Sequence, residues 1–186
     1  IFMNGQVVLY RDQLVYSSEI PTETVEKFHQ MVKEDGYGLT AYNDKQFYLV
    51  ASSPGAKDAY GFIHSNPPAL NPDFYKENPI NMMLFISLPP AEEKYKVAFP
   101  NLDFLRNTPY SVDVISKGNS KAEGIKRFLE HLNQEDAKTY AFGDGPNDIE
   151  MLQAVSHPVA MGNALPILKE IAEFITTDNT NNGIVN

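Results

Sequence analysis

Two carboxylates in a glycine-containing turn are the first residues of this sequence that could do chemistry. Asp144 and Asp148 lie four residues apart in the segment Gly143-Asp144-Gly145-Pro146-Asn147-Asp148. Mg²⁺ prefers oxygen ligands and keeps several waters, so one direct carboxylate and a second acting through water would suit it. Glycine allows close backbone approach, and a helix N-terminus beyond the turn favours an anion. The segment predicts a Mg²⁺ and phosphate site, with an ordinary helix-capping turn as the alternative.

Lys121 is the second candidate. It follows Ser120 in the capping-box pattern Ser120-Lys121-Ala122-Glu123, which places it at the first position of a helix. A positive charge is unfavourable at that end of a helix, and an unfavourable local choice can mark a functional site. A lysine beside a strand end could pair with a phosphate, whereas a solvated surface lysine is the alternative.

The elements that would position these residues follow from hydrophobic patterning. In the last third of the chain, amphipathic helices alternate with short apolar strands predicted at Thr139–Phe142, Pro158–Met161 and Phe174–Thr176. This alternation predicts a parallel sheet flanked by helices. In such sheets ligands bind beyond the carboxyl ends of the strands, and Asp144 lies at such an end.

The middle of the chain has a different pattern. A helix is predicted at Thr22–Glu34, and the proline-rich residues 53–79 predict loops with one short helix at most. Several strands with few helices indicate a separate α+β unit. Residues 1–16 predict a hairpin. The further strands are predicted at Tyr37–Tyr42, Gln46–Val50, Asn81–Leu88, Leu102–Arg106 and Tyr110–Ile115.

Composition narrows the class of protein. The 186 residues include 15 Lys and Arg against 24 Asp and Glu, a net charge of −9, so nucleic acid and anionic membranes are not expected partners. Cysteine is absent, which excludes disulfides and thiolate metal sites. With no apolar run of membrane-spanning length and no signal peptide, we expect a soluble cytoplasmic protein. Oligomeric state is left open.

Taken together, several segments resemble a known family. They are Lys121, Phe142–Leu152, Val159–Ala164 and Thr176–Gly183, with Asn4-Gly5 near the start. The joint pattern resembles the C-terminal half of the haloacid dehalogenase superfamily, and within it the Cof-type sugar-phosphatase-like hydrolases with a class IIB cap. A joint pattern of this kind is more specific than any single glycine-rich motif.

The resemblance implies an α/β fold, with a Rossmann-like parallel-sheet core and an inserted α+β cap. Residues 1–17 and 113–186 would form the core, and residues 18–112 the cap that selects the substrate. It also implies roles for individual residues. Asp144 would be a ligand of the Mg²⁺ cofactor and Asp148 its support. Lys121 would steady the nucleophile and the phosphoryl group, with Asn147 near the phosphate.

Two further residues are weaker candidates for contact with substrate. Arg106 lies at a predicted turn of the cap and could bind a phosphate or sugar hydroxyls by bidentate bonds, with a surface arginine as the alternative. Asn4 lies at the predicted turn near the start of the chain and is included on the resemblance alone.

The sequence departs from the family pattern in three ways. The nucleophilic and acid/base aspartates of an Asp-x-Asp-Gly motif are absent, Ala122 stands where Gly is usual, and Asn182 where an acid is usual. Because the chain begins abruptly at Ile1, we expect the nucleophile to lie upstream.

We therefore expect a parent protein that is a Mg²⁺-dependent phosphatase of small phosphorylated metabolites, working through an aspartyl-phosphate intermediate. The 186 residues alone would be inactive. A non-catalytic module that binds phosphorylated ligands and a phosphosugar mutase are the alternatives.

Overall fold

A computed structural model describes residues 1–185 of the chain. The chain divides into two compact units, one made of residues 1–16 and residues from 119 onward, the other of residues 17–118. In chain order the elements are β1 (Val7–Tyr10), β2 (Gln13–Ser17), α1 (Thr22–Asp35), β3 (Gly38–Tyr42), β4 (Phe47–Ala51), α2 (Ala56–Phe62), α3 (Phe74–Glu77), β5 (Met82–Ile86), α4 (Glu92–Ala98), β6 (Leu102–Thr108), β7 (Ser111–Ser116), α5 (Lys121–Leu132), β8 (Tyr140–Gly143), α6 (Ile149–Ala154), β9 (His157–Ala160), α7 (Pro166–Ile171) and β10 (Phe174–Ile175).

The first unit contains a three-stranded parallel sheet of order β10-β9-β8 and the hairpin β1-β2. Phe142 pairs with Val159, and Val159 pairs with Phe174 across the sheet. Helices α6 and α7 bury Leu152 and Leu168 in a cluster with Ala160 of the central strand. The predicted alternation of strands and helices in this region is confirmed.

Helix α5 begins as its sequence predicts. The Ser120 hydroxyl accepts a hydrogen bond from the backbone N–H of Glu123, which satisfies one of the unpaired donors of the first turn. The Glu123 side chain pairs with Arg127 one turn later. Asn133 ends the helix in the left-handed conformation, where asparagine is tolerated. Lys121 is thereby fixed at the first helical position.

The second unit is built on a five-stranded antiparallel sheet of order β4-β3-β5-β7-β6. One cluster packs Phe28 of α1 and Tyr95 of α4 against Phe85 of the sheet. A second cluster packs Tyr60 of α2 against Ile86. The parallel and antiparallel sheets together confirm the predicted α/β fold class with a separate α+β unit.

The helices of this unit differ from the expected ones in two places. Residues 53–79 contain two helices, α2 and α3, where one short helix at most was expected, and helix α4 was not predicted. Both α2 and α4 have only seven residues, and each lies close behind prolines, so turn signals hide their periodicity. The predicted boundary at residues 112/113 falls inside β7, which pairs with β5 and β6 in this sheet.

Within residues 1–185, no helix combines the length and apolar character needed to cross a membrane.

Candidate active site

Asp148 is the centre of the hydrogen bonds in the predicted loop. Its Oδ2 atom accepts from the backbone N–H of Asp144 at 2.9 Å and of Gly145 at 3.1 Å. Its Oδ1 atom accepts from the Lys121 ammonium at 2.5 Å. Asp148 is 5% exposed, so these three donors replace the water that a buried carboxylate loses. The structure therefore brings Lys121 and Asp148 together, although 27 residues separate them in sequence.

A glycine makes this inward position of Asp148 possible. A Cβ atom built on Gly143 would lie 2.6 Å from Asp148 Cβ, closer than real side chains approach. Strand β8 ends at Gly143, and the turn Pro146–Asp148 leads directly into α6. The strand end, the glycine and the turn together direct the carboxylate back toward the start of the loop.

The charge state of Asp148 follows from these contacts. Burial acts to raise its pKa, but the hydrogen bonds from Lys121 and from the Asp144 and Gly145 backbone outweigh burial and lower it. The carboxylate is therefore ionised at neutral pH. Its partner Lys121 is about one-third exposed, so the ion pair has one buried and one accessible side.

Asp144 has a different environment. Its side chain is exposed, and its Oδ2 atom accepts from the Asn163 amide at 2.7 Å. The side-chain oxygen of Asn163, Oδ1, accepts in turn from the backbone N–H of Asn179. Asn163 thus links Asp144 to the segment after β10. The Asp144 side chain is thus held by the bond from Asn163 and remains exposed to solvent.

Asn147 contacts the segment at the start of the chain. Its side-chain amide donates to Asn4 Oδ1 at 2.9 Å, across 143 residues of sequence. Asn4 and its two neighbours, Met3 and Gly5, all have positive φ angles of 51–92°. Three consecutive left-handed residues are unusual, and they turn the Asn4 side chain toward the loop.

Gly5 fixes this segment against helix α5. A Cβ atom built on Gly5 would overlap the backbone carbonyl of Ser120, and one built on Gly124 would lie 3.0 Å from the Gly5 Cα. The two glycines let the segment pack directly on the first turn of α5. That turn carries Lys121, so the contact holds Lys121 and Asn4 in the same unit at fixed positions.

Arg106 lies in the second unit, and its guanidinium group is already engaged. Nε and Nη2 donate to the Glu92 carboxylate at 2.7 and 2.6 Å. Nη1 donates to the backbone carbonyls of Ser87, Thr108 and Pro109 at 3.1–3.3 Å. This arrangement holds two loops of the second unit together. The role of Arg106 in substrate binding stays a prediction.

Asp144 and Asp148 are the two carboxylates of the loop that could hold a divalent cation. No cluster of three or more His, Cys, Asp or Glu side chains suited to a metal occurs in residues 1–185. Mg²⁺ does not need such a cluster, because it is commonly bound by one or two carboxylates and keeps its remaining waters. The exposed Asp144 and the ionised Asp148 fit that mode of binding.

Sequence reasoning missed the role of Asn163 in fixing Asp144. In the sequence, Asn163 stands out only as part of Val159–Ala164, one of the segments that resemble the family. Its signal was its type: an amide at the carboxyl end of a strand that neighbours β8 in a parallel sheet. Such ends share one edge, so polar residues there meet those of the next strand.

Comparisons with known proteins identify the family of the chain. The model of the haloacid dehalogenase-like hydrolase family matches residues 1–186. The Bacillus subtilis protein YkrA, which carries a provisional phosphatase name, is 36% identical over 185 residues, covering 99% of this chain and 72% of YkrA.

Solved structures show the same relationship. A hypothetical protein from Geobacillus kaustophilus is 32% identical with a TM-score of 0.87, and the match covers 97% of this chain and 71% of that protein. The sugar phosphatase BT4131 of HAD subclass IIB is 26% identical with a TM-score of 0.85, with 98% and 71% of the two chains covered.

Proposed function

The chain belongs to the haloacid dehalogenase-like hydrolases, and we propose that it carries the metal and phosphate site of a Mg²⁺-dependent phosphatase for small phosphorylated metabolites. Sugar phosphates are the proposed substrates, since the structurally similar BT4131 is a sugar phosphatase. One observation carries the proposal: an ion pair joins Lys121, at the start of α5, to Asp148 in the loop that presents the exposed Asp144 carboxylate.

We assign the two carboxylates different roles. Asp144 is the direct Mg²⁺ ligand, because its carboxylate is exposed and accepts a single side-chain bond, from Asn163. Asp148 would support the metal through water, because backbone N–H groups and Lys121 already bind its two oxygens. When bound, Mg²⁺ neutralises the charge of the phosphoryl oxygens and aligns the group for in-line displacement.

Lys121 and Asn147 are the proposed phosphate-binding side chains. The Lys121 ammonium has three N–H donors and uses one on Asp148, which leaves two for phosphate oxygens. The Asn147 amide uses one N–H on Asn4 and has a second to donate. The first turn of α5 adds the partial positive charge of a helix N-terminus.

The reaction needs a carboxylate nucleophile. Its oxygen would form a bond to phosphorus while the ester P–O bond breaks, and the leaving alkoxide would take a proton from the acid/base aspartate of the Asp-x-Asp-Gly motif; water would then hydrolyse the aspartyl-phosphate. Asp144 and Asp148 serve the metal, and the 186 residues contain no Asp-x-Asp-Gly motif. We propose that the nucleophile lies upstream of Ile1 in a longer product, and that these 186 residues alone are inactive.

An activity assay tests the complete proposal. Phosphate release from a panel of hexose phosphates, pentose phosphates and nucleotides is measured for the 186-residue chain and for the whole gene product, with Mg²⁺ or with EDTA. We expect Mg²⁺-dependent release by the gene product only, fastest with a sugar phosphate. Equal activity of the short chain would show that the nucleophile lies within it.

A binding assay tests the metal site without the nucleophile. Mg²⁺ is titrated into the ¹⁵N-labelled 186-residue chain, and the amide signals of Gly143 and Gly145 are followed. Asp144→Asn should abolish saturable shifts, whereas the matched control Asp136→Asn, an exposed acid of the same unit, should leave them unchanged. Unchanged Mg²⁺ binding by Asp144→Asn would exclude Asp144 as the ligand.

A non-catalytic module that binds phosphorylated ligands is the second candidate. Absence of an Asp-x-Asp-Gly motif from the whole gene product would favour it. Saturable Mg²⁺ and sugar phosphate binding without phosphate release by the whole gene product would establish this alternative and exclude the phosphatase.

The second unit, residues 17–118, is proposed to be the cap that selects the substrate. Its separate sheet and separate apolar clusters support a domain that folds around its own core.

A further inference from the structure

The second unit contains a cavity of about 750 Å³ at one end of its five-stranded sheet. Tyr37, just before β3, and Ile86, at the end of β5, line it. At the opposite end of the sheet, Tyr42 pairs with Met82 and Met82 pairs with Ile115. The chain leaves β7 at that opposite end, away from the cavity. Pockets for small molecules commonly have volumes of about 300–1,000 Å³, so this cavity is large enough for one.

The rim of the cavity is held by charged side chains. Lys94 and the Tyr95 hydroxyl both bind the Asp35 carboxylate at 2.8 Å. Arg106 joins the carbonyl of Ser87, which lines the cavity, to those of Thr108 and Pro109 between β6 and β7. The cavity walls are therefore fixed by hydrogen bonds of the unit itself, as a pre-formed binding site requires.

The charges that line the cavity are unbalanced. Asp35 and Asp58 supply two carboxylates, and Lys94 supplies one ammonium group, which is paired with Asp35. Within residues 1–185 Asp58 forms no ion pair. The exposed Asp58 carboxylate thus leaves the cavity with one unpaired negative charge, which attracts a cation and disfavours a phosphate ester.

Apart from Ser53 and Ser87, the remaining lining is apolar and aromatic. Tyr110 contacts Phe62 with ring centroids 5.6 Å apart, and Tyr37 contacts Phe85 at 5.4 Å. Tyrosine faces bind both aromatic rings and ammonium groups. We propose that this cavity is a binding site for a small organic cation, an aromatic body carrying one ammonium group that pairs with Asp58. This proposal is independent of the phosphatase function.

Three probes with one body and different charges test the chemical class. Tyramine, 4-ethylphenol and 4-hydroxyphenylacetate share a phenol ring and carry a positive, a neutral and a negative side chain. Each is titrated into the ¹⁵N-labelled 186-residue chain. We expect saturable shifts at Tyr37, Ile86 and Tyr110 with tyramine, weaker binding of 4-ethylphenol and the weakest binding of 4-hydroxyphenylacetate.

Two variants test the position of the site. Asp58→Asn should weaken tyramine about fivefold, the factor for one exposed ion pair, and leave 4-ethylphenol unchanged. Gly55→Phe should abolish binding of both, since Gly55 lines the cavity and a Cβ there meets only ordinary contacts at 3.8 Å or more. Gly61→Phe is the matched control in α2, with open space around its Cβ.

The outcomes separate clearly. Tyramine binding that is lost in Gly55→Phe, retained in Gly61→Phe and weakened in Asp58→Asn would support the site. Equal affinity for tyramine and 4-hydroxyphenylacetate would overturn the assignment of a cation. Shifts that persist in Gly55→Phe, or that map outside the cavity, would overturn its location. Spectra of each variant without probe verify that the unit is folded.

Discussion

Replacing Lys121 by methionine should destabilise the first unit. Within residues 1–185, Lys121 is the only residue that forms an ion pair with Asp148, and methionine removes that pair. Methionine retains the unbranched stem and the helix propensity of lysine, so the change isolates the ammonium group. After the replacement the buried carboxylate keeps the backbone N–H groups of Asp144 and Gly145 as donors. The cost therefore comes from one charge-assisted bond and from poorer compensation of a buried charge.

The magnitude follows from the exposure of the two partners. A hydrogen bond to a charged group contributes about 1.5–3 kcal/mol, and removing one partner of a fully buried ion pair costs about 3–5 kcal/mol. Asp148 is buried, but the Lys121 side chain is 31% exposed, so solvent screens the pair. We therefore expect Lys121→Met to lower the free energy of unfolding at pH 7 by about 1–2 kcal/mol.

The effect should depend on pH in a defined direction. The pKa of Asp148 is lowered in the folded chain, since the bonds from Lys121 and the backbone outweigh burial. A lowered carboxylate pKa contributes stability above the unfolded value of about 3.9, and that stability is lost as the pH falls through the folded value. The difference between wild type and Lys121→Met should be full at pH 7 and shrink below about pH 4.

The assay is urea unfolding followed through the amide signals of Ala141 and Leu152, two buried residues of the first unit. These signals report the first unit separately from the second. Lys126→Met is the matched control on the same helix, because Lys126 is exposed and lies 3.9 Å from Glu130. That control should change the free energy of unfolding by less than about 0.5 kcal/mol.

A double-mutant cycle with Asp148→Asn gives the decisive number. If the pair interacts as the structure indicates, the coupling energy should be about 1–2 kcal/mol at pH 7. A coupling energy within about 0.3 kcal/mol of zero, or one that is the same at pH 7 and pH 3.5, would refute the reasoning.

Three further changes test other parts of the fold by urea unfolding. Gly5→Ala should lower the free energy of unfolding by about 3 kcal/mol or more, because φ is +92° and the new Cβ atom overlaps the backbone of Ser120. Gly118→Ala is the control, since φ is +81° but the space around it is open, and it should lower the free energy of unfolding by about 1 kcal/mol. Arg106→Met should lower the free energy of unfolding by about 2–4 kcal/mol at pH 7, because it leaves the buried Glu92 carboxylate without its partner. The hydrogen bond from Arg106 lowers the pKa of Glu92, so this loss of stability should become smaller as acid protonates the carboxylate. Burial lowers the pKa of His29, so the free energy of unfolding should decrease as the pH falls below about 6.5. His29→Gln should make the free energy of unfolding less dependent on pH in this range, and an unchanged pH dependence would contradict this explanation.

Much of the first unit could be predicted because its signals are local. The Ser120 cap, the helical periodicity after it and the strand at Tyr140–Gly143 each depend on fewer than about fifteen neighbouring residues. The family resemblance extended this to the fold class, and the comparisons confirm it. Helices α2 and α4 escaped prediction because packing against the sheet, and not intrinsic periodicity, stabilises such short helices.

The candidate site could be predicted by residue type but not by contact. Asp144, Asp148 and Lys121 were identified from turn chemistry and from one unfavourable helix position. The partners that orient them were not, since Asn163 reaches Asp144 across 19 residues and Asn4 reaches Asn147 across 143. Spacing along a chain carries no information about such pairs. Asn163 meets Asp144 because strand ends share one edge of the parallel sheet, whereas Asn4 lies near the loop because the segment around Gly5 packs on the start of α5.

The environments of the two carboxylates give the sharpest basis for separating their roles. Asp148 is buried and its two oxygens already accept three bonds, so a hydrated cation could bind it directly only by losing waters of its own shell. Asp144 is exposed and accepts one side-chain bond, so binding a hydrated cation costs it little desolvation. If Asp148 acts by holding the loop and Lys121, then Asp148→Asn should weaken Mg²⁺ less than Asp144→Asn and should displace Lys121 more. Stronger loss of Mg²⁺ in Asp148→Asn would reverse the two assignments.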